Sequence, residues 1–401
     1  MEATALVEKK SSGIWSIGLA MFAMFFGAGN IVFPLAVGLF TQDKNFYGIL
    51  GMTITAVLVP LAGLLAMMLF EGDYNAFFRR IGKFPGFLVT LCILGLIGPF
   101  GGIPRCMTIS YSTLSTFGLE NIPGMGLTSF SVLSCVLIFL FTFRPNKIIS
   151  LLGLVLTPLL LLSLATIAVK GMISMPGAEI SSHTRWETFS HGLLGGYNTM
   201  DLLASFFFSS VILLCLRKGK EQKDKDRVSL SENSAQLKTA IFGSLVAAFL
   251  LTLVYVSFSY VAAGCGTLLQ GVAGHEILGK LAYLNLGPMA GLIAGAVVAF
   301  ACLTTEIALA AILADFLRKT LLKERISYEL SLVIILALSC IVSTLRFEGI
   351  STFLVPILQI CYPALIVLTV CNIVHKLYGV KSVKPYVYGT FALSLISYFV
   401  L

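Results

Sequence analysis

Phe25-Phe26-Gly27-Ala28-Gly29-Asn30-Ile31-Val32-Phe33-Pro34 sits in the middle of the first long apolar segment of the chain, not at its edge. Two glycines, an asparagine and a proline each weaken a helix. Inside a bilayer every backbone group released by such a break costs several kcal/mol until it finds a partner. A break placed there needs compensation, and a small polar ligand together with a cation supplies it. The stretch therefore predicts a secondary transporter built on interrupted membrane helices.

The rest of the composition supports a membrane setting. Hydrophobic residues make up 57% of the 401 and charged residues 11%, against about a quarter charged in a soluble domain. Apolar runs of roughly twenty residues recur along the chain, which is the pattern of an all-α polytopic membrane protein. The runs lack the period-two alternation of a β-barrel. Their approximate limits are 13–40, 46–70, 86–117, 127–143, 149–170, 189–216, 237–263, 287–314, 328–345, 351–375 and 384–401. Nine cysteines are scattered without any Cys-x-x-Cys and read as small core residues. Residues 1–12 are polar and carry Lys9 and Lys10, and no cleavage site follows a short apolar core, so the first helix is read as uncleaved.

A net charge of +8 invites a nucleic-acid reading, but the placement of the basic residues removes it. With a cytoplasmic N-terminus, only Lys44, Lys170, Arg185, Lys280 and Arg346 fall outside and Arg105 lies within a span. All other Lys and Arg gather inside, which is the positive-inside pattern. The run from Arg217 to Arg227 is then a solvated cytoplasmic loop. Five spans cover about 13–170 and five more about 189–375, with an additional helix at about 384–401. An odd number per half makes the second half enter from the opposite side, the arithmetic of an inverted-topology repeat. The first span of the second half should then be broken too. His191-Gly192-Leu193-Leu194-Gly195-Gly196-Tyr197-Asn198-Thr199-Met200-Asp201 supplies the interruption, followed by Ser205, Phe206-Phe207-Phe208 and Ser209.

An unwound segment between half-helices exposes N–H groups at one helix start and carbonyls at the other end, each end carrying roughly half an elementary charge. The N–H groups suit a carboxylate, and the carbonyls suit an ammonium group or an alkali cation. The bland alternative is that small residues here only permit close helix packing. Thr304 and Thr305 precede Glu306 in the eighth span, where they either help bracket a cation or bond their own helix carbonyls. Arg105, Asp201 and Glu306 lie well inside spans, where an ionisable group faces the bundle interior or a water-filled path. Arg105 is expected to pair with one of the acids as a structural rivet, and Glu306 is a candidate for proton movement. The four histidines lack metal-ligand spacing. No nucleotide-binding loop, Gly-x-Ser-x-Gly or His-Glu-x-x-His is present, so an enzyme is not indicated and coupling falls to an ion gradient.

Phe26-Gly27-Ala28-Gly29-Asn30-Ile31-Val32-Phe33-Pro34, Gly101-Gly102-Ile103-Pro104-Arg105, Gly196-Tyr197-Asn198-Thr199-Met200-Asp201 and Leu303-Thr304-Thr305 resemble the bacterial branched-chain amino acid:cation symporter family over about 13–380. The resemblance implies the LeuT-like, five-plus-five inverted-repeat bundle of the amino acid–polyamine–organocation superfamily, with broken first and sixth helices and about 11 to 12 spans. It implies import of leucine, isoleucine and valine across the bacterial cytoplasmic (inner) membrane, coupled to Na⁺ or in some members to H⁺, with no other cofactor. Carried over by residue, it places the substrate near Gly27, Ala28, Gly29 and Asn30, with Ser205 and Phe207 receiving the ammonium group and aliphatic side chain. It places the cation among the carbonyls of Ala23 and Phe26 and the hydroxyls of Thr304 and Thr305. This chain departs from the family pattern at Gly195, where a glutamate is expected, and at Glu306, where a small residue is expected. A carboxylate beside the cation either strengthens its binding or shifts coupling towards protons.

Overall fold

The computed structural model describes residues 14–143, 145–218 and 230–400. Lys9, Lys10, Arg144 and the centre of the basic run expected as a cytoplasmic loop, 219–229, lie outside the described residues. The described chain is all-α, with no strand. Six of its stretches are long and apolar enough to cross a membrane by length and composition: Ala28–Leu69, Lys83–Ser115, Thr157–Ser174, Lys238–Gly264, Ile277–Leu321 and Arg346–Tyr378. Shorter apolar helices run over Ile14–Phe25, Leu127–Thr142 and Tyr328–Ser343.

In chain order the helices are α1 (Ile14–Phe25), α2 (Ala28–Thr41), α3 (Asn45–Thr53), α4 (Val59–Leu69), α5 (Tyr74–Phe78), α6 (Lys83–Ile97), α7 (Gly102–Ser115) and α8 (Leu127–Phe143). There follow α9 (Pro145–Ser174), α10 (Arg185–Tyr197), α11 (Asp201–Lys218), α12 (Leu230–Gly264), α13 (Ile277–Phe316), α14 (Tyr328–Ser343), α15 (Arg346–Tyr378) and α16 (Lys384–Val400). Both predicted interruptions are present, between α1 and α2 and between α10 and α11.

Two spans differ from the sequence expectation. The span expected over 86–117 is interrupted: Gly98, Pro99, Phe100 and Gly101 separate α6 from α7. Pro99 has no N–H to continue the helix and two glycines flank it, so Arg105 falls in the first turn of a new helix. The span expected from 287 is preceded by a further helical segment from Ile277, joined at a kink where Gly287 takes φ +75° before Pro288. Only glycine enters that left-handed region without strain.

Close packing of small residues brings the bundle together, as it does where lipid supplies no hydrophobic drive between helices. At the crossing of α3 with α10, Gly192 lies directly against the Gly48 backbone, leaving no room for a side chain. The helices α1 and α2 pack on α12, α7 and α9 pack on α13, and α11 packs on α4. The bundle thereby wraps the two interruptions in its centre, where Phe22, Phe26, Ile31 and Leu203 are almost fully buried.

Loops expected on the same side of the membrane touch one another. Lys44 Nζ donates to the Ser181 carbonyl at 2.9 Å and the Ser181 N–H donates to Asp43 Oδ1 at 2.7 Å. His275 lies 3.8 Å from the Glu348 carboxylate. On the other side, Arg80 donates to the Lys381 carbonyl at 3.3 Å and the Tyr388 hydroxyl to the Ile81 carbonyl at 2.7 Å.

Candidate functional site

The first interruption is held open by Asn30. The helix α1 closes with the Phe26 N–H donating to the Phe22 carbonyl at 2.8 Å. Gly27 is then extended, at φ −121° and ψ −166°. Asn30 Oδ1 accepts from the Gly27 N–H at 3.2 Å, and the Asn30 N–H donates to the Gly27 carbonyl at 3.1 Å. Among the described residues no backbone carbonyl accepts from the N–H groups of Ala28 or Gly29, as befits the first turn of a helix. The Ala28 N–H is directed at the Cys106 thiol, a weak acceptor.

At the second interruption, the Asn198 N–H donates to the Gly195 carbonyl at 3.2 Å and the Met200 N–H to the Tyr197 carbonyl at 3.1 Å. Met200 adopts φ +62°, an uncommon conformation for a residue with a Cβ. Asp201 then opens α11, offsetting the positive end of that helix. The Leu202 N–H donates to the Tyr362 hydroxyl at 3.1 Å, and the Tyr362 ring stacks on Tyr197 at 4.6 Å.

The two interruptions meet. A Cβ on Gly29 would stand 2.9 Å from the Thr199 Cα, so only glycine allows this approach. Asn30 Nδ2 donates to Asp201 Oδ2 at 2.8 Å and also to the Tyr255 hydroxyl, which itself donates to Asp201 Oδ2 at 3.0 Å. All three side chains are buried. A buried carboxylate with two donors is far cheaper than a bare one.

Among the described residues Arg105 pairs with no acid. Its Nη1 donates to the Asn198 carbonyl at 3.1 Å and its Nη2 to Ser351 Oγ at 3.2 Å. Its guanidinium lies against a pair of adjoining rings, 5.4 Å from Phe33 and 5.5 Å from Phe347. The interruption offers a carbonyl that an intact helix would have consumed, and Arg105 takes it. Glu306 is buried close to Cys106 and Cys135, and no hydrogen bond or ion pair to it forms among the described residues.

Between the interruptions lies a small cavity of about 40 Å³, lined by Gly27, Ala28, Gly29 and Asn30 on one side and Thr199, Met200 and Asp201 on the other. Arg105, Cys106, Ala204, Phe208 and Thr305 also contribute to the lining. Ser205 and Phe207 do not line it. Ser205 Oγ donates to the Leu202 carbonyl at 2.7 Å and faces Gly63 of α4, while the Phe207 ring packs on Tyr74 at 5.3 Å. Each residue turns a helix by about 100°, and the cavity-facing positions of α11 are Ala204 and Phe208.

Of the four residues named for a cation, two come together. Thr305 Oγ1 donates to the Phe26 carbonyl at 3.3 Å and, equally, to the Ala301 carbonyl of its own helix at 3.3 Å. Thr304 Oγ1 turns instead to the Ala301 carbonyl at 2.7 Å, and neither it nor the half-buried Ala23 lines the cavity. Tyr255 escaped sequence reasoning. Its only signal was that a tyrosine buried in an apolar helix needs a partner for its hydroxyl.

Comparison with known proteins bears on this arrangement. The model of the family described as branched-chain amino acid transport protein matches residues 10–399. A protein of Staphylococcus epidermidis described as a branched-chain amino acid carrier is 28% identical over 385 residues, covering 92% of this chain and 83% of its own length. One of Staphylococcus aureus, similarly described, is 26% identical over 385 residues, covering 92% of this chain and 84% of its own. Among solved structures, the inward-facing conformation of Mhp1 superposes with a TM-score of 0.63 at 14% identity, covering 92% of this chain and 78% of that one. The Eremococcus coleocola manganese transporter gives 0.60 at 13% identity, with 96% and 86% covered. At such identities the structural likeness speaks for the LeuT-like transporter fold alone.

Proposed function

The chain belongs to the family of branched-chain amino acid transport proteins, and from that premise we propose that it is a secondary active transporter importing leucine, isoleucine and valine by symport with Na⁺. The observation that carries the proposal is the meeting of two helix interruptions at a small cavity, joined by the Asn30–Asp201 hydrogen bond. Substrate enters this cavity against the N–H groups of Ala28 and Gly29, and its aliphatic side chain lies towards Phe208 and Ala204. The cation takes the Phe26 carbonyl and the Thr305 hydroxyl as its first two oxygens, the hard donors an alkali ion prefers. The chain works in the bacterial cytoplasmic membrane with its N-terminus inside, and the halves 13–170 and 189–375 move against one another as inverted repeats around this centre.

Proton coupling is the second reading, for a branched-chain or another small neutral amino acid. It is favoured by one observation: among the described residues the buried Glu306, one residue beyond Thr305, has no hydrogen-bond or ionic partner.

A panel of L-amino acids measured as thermal shifts on the purified protein, with and without Na⁺ and across pH, tests both. Stabilisation by ligand follows from its binding to the folded state alone. Leucine, isoleucine and valine should each raise the melting temperature, and Na⁺ should enlarge the rise at constant ionic strength. A rise enlarged by acidification and indifferent to Na⁺ selects the proton reading. The three side chains will rank closely, because a methylene in an apolar pocket discriminates by only about 1–3 kcal/mol.

A further inference from the structure

The turn Arg79–Ile81 between α5 and α6 meets the connection from α15 to α16. Arg80 Nη2 donates to the Val380 carbonyl at 3.4 Å and the Lys381 carbonyl at 3.3 Å, and the Tyr388 hydroxyl donates to the Ile81 carbonyl at 2.7 Å. These bonds gather cations from two distant parts of the chain. Arg79, Arg80 and Lys83 come from the first, and Lys376, Lys381 and Lys384 from the second. Among the described residues none of them forms an ion pair. Arg80 Nε is shielded from solvent and has no hydrogen-bond partner there. Lys376 Nζ sits over the Phe70 ring at 4.5 Å, whereas Arg79, Lys83, Lys381 and Lys384 are exposed.

Acids are scarce nearby. Glu71 and Asp73 precede α5, and Asp73 Oδ1 already accepts from the Ala76 N–H at 3.0 Å. Lys83 and Lys384 are the first residues of α6 and α16, and neither helix has an acid in its first turn. Like charges held together repel, and two helix starts add potential of the same sign. An anion brought to the corner relieves both. The surface beside it is apolar: Phe84, Phe87, Leu88 and Leu91 are exposed at helical spacing along α6, and Leu393 and Ile396 along α16. Phe84 is 75% and Tyr386 59% exposed, large aromatic side chains at the level where the charges begin. A ligand suited to this surface is an anion at one end and hydrocarbon at the other.

We propose that the corner binds the headgroup of an anionic phospholipid, its phosphate among Arg80, Lys83, Lys381 and Lys384 and its acyl chains along the apolar face of α6. The inference rests on the membrane setting of the chain and on neither its substrate nor its coupling ion. Phosphate accepts charge-assisted hydrogen bonds from guanidinium and ammonium donors alike. Free phosphate carries the charge but leaves the apolar face uncovered. A zwitterionic lipid covers the face but brings a cation of its own. The bound lipid ties the start of α6 to the start of α16. Its hold extends inwards through α5, where the Phe77 ring lies 5.2 Å from Phe206 of the interrupted helix α11.

The test titrates the delipidated full chain in detergent with phosphatidylglycerol, with phosphatidylcholine of the same acyl chains and with inorganic phosphate, and reads lipid occupancy by native mass spectrometry. Wild-type protein should bind phosphatidylglycerol at least fivefold more tightly than phosphatidylcholine, roughly the worth of one basic residue at an anionic surface. Inorganic phosphate should not displace it. Arg80→Gln and Lys384→Gln should each weaken phosphatidylglycerol roughly fivefold and leave phosphatidylcholine unchanged. Lys323→Gln removes an exposed charge between α13 and α14, on the same expected side, and should change neither. Equal binding of the two lipids by the wild type overturns the site, whether or not the variants fold. So does displacement of the lipid by inorganic phosphate, which would make the corner a site for free anions. A loss at Lys323→Gln matching that at Arg80→Gln overturns it as well, being the mark of diffuse surface charge.

Discussion

Asn30 Nδ2 donates to Asp201 Oδ2 at 2.8 Å across 171 positions of sequence, and this bond joins the interruption of one membrane helix to that of another. The same asparagine caps α2 through its Oδ1. One side chain therefore sets the local break and its tertiary partner together.

Asn30→Ala removes the cap and one donor to a buried carboxylate. A buried polar group left without its partner costs about 1–3 kcal/mol. The variant should melt earlier in differential scanning fluorimetry and lose leucine uptake. An unchanged melting temperature would mean that the two interruptions are held together by packing alone.

Gly29→Ala places a methyl group 2.9 Å from the Thr199 backbone, which cannot turn aside as a side chain would. The interruptions must separate, and initial uptake should fall at least tenfold. Gly266 and Gly389 have open space around them, so alanine at either should leave uptake unaltered. Equal tolerance at all three positions would show that the approach of Gly29 to Thr199 is dispensable.

Thr305→Ala removes the hydroxyl that reaches the Phe26 carbonyl, whereas Thr304→Ala removes one already committed to its own helix. The Na⁺ concentration giving half-maximal uptake should rise about tenfold in the first variant, the loss of roughly one charge-assisted contact of about 1.4 kcal/mol. It should barely move in the second. Matching shifts in both would place the cation elsewhere.

Outside the membrane, Thr184 and Glu187 cap α10 reciprocally: Thr184 Oγ1 accepts from the Glu187 N–H at 3.2 Å and the Glu187 carboxylate accepts from the Thr184 N–H at 2.7 Å. The backbone donor holds the carboxyl below its ordinary value. A depressed folded-state value means stability that is present above the unfolded value and lost as pH falls through the folded one. Glu187→Gln should therefore lower the melting temperature at pH 7, and by less once the pH is taken below the carboxylate range. A deficit that does not change with pH would leave Glu187 without a part in the cap.

Much of this centre was legible because it breaks local rules. Gly27, Gly29 and Asn30 have no reason to cluster in an apolar helix unless the helix breaks there, and it does, at Phe26–Gly27, while Pro34 is carried inside α2. The second interruption was marked by Gly195, Gly196, Asn198 and Asp201 in the same way. What stayed hidden depends on rotation and on distant partners. Phe207 and Phe208 are chemically alike, and only the turn of α11 puts the second on the cavity. Arg105 was expected to seek an acid because charge is visible in a sequence, whereas the Asn198 carbonyl it uses becomes available only when its helix ends. Tyr255 looked like one more apolar helix residue, since its partners lie 54 and 225 positions away.

The central claim is that the cavity between the two interruptions couples amino acid movement to an ion gradient. Radiolabelled leucine uptake into proteoliposomes, with an inward Na⁺ gradient imposed at equal pH on both sides, tests it most directly. Leucine should accumulate above its external concentration, and the accumulation should disappear when Na⁺ is equalised. Uptake that never exceeds equilibrium, and that responds to neither a Na⁺ nor a proton gradient, would contradict it.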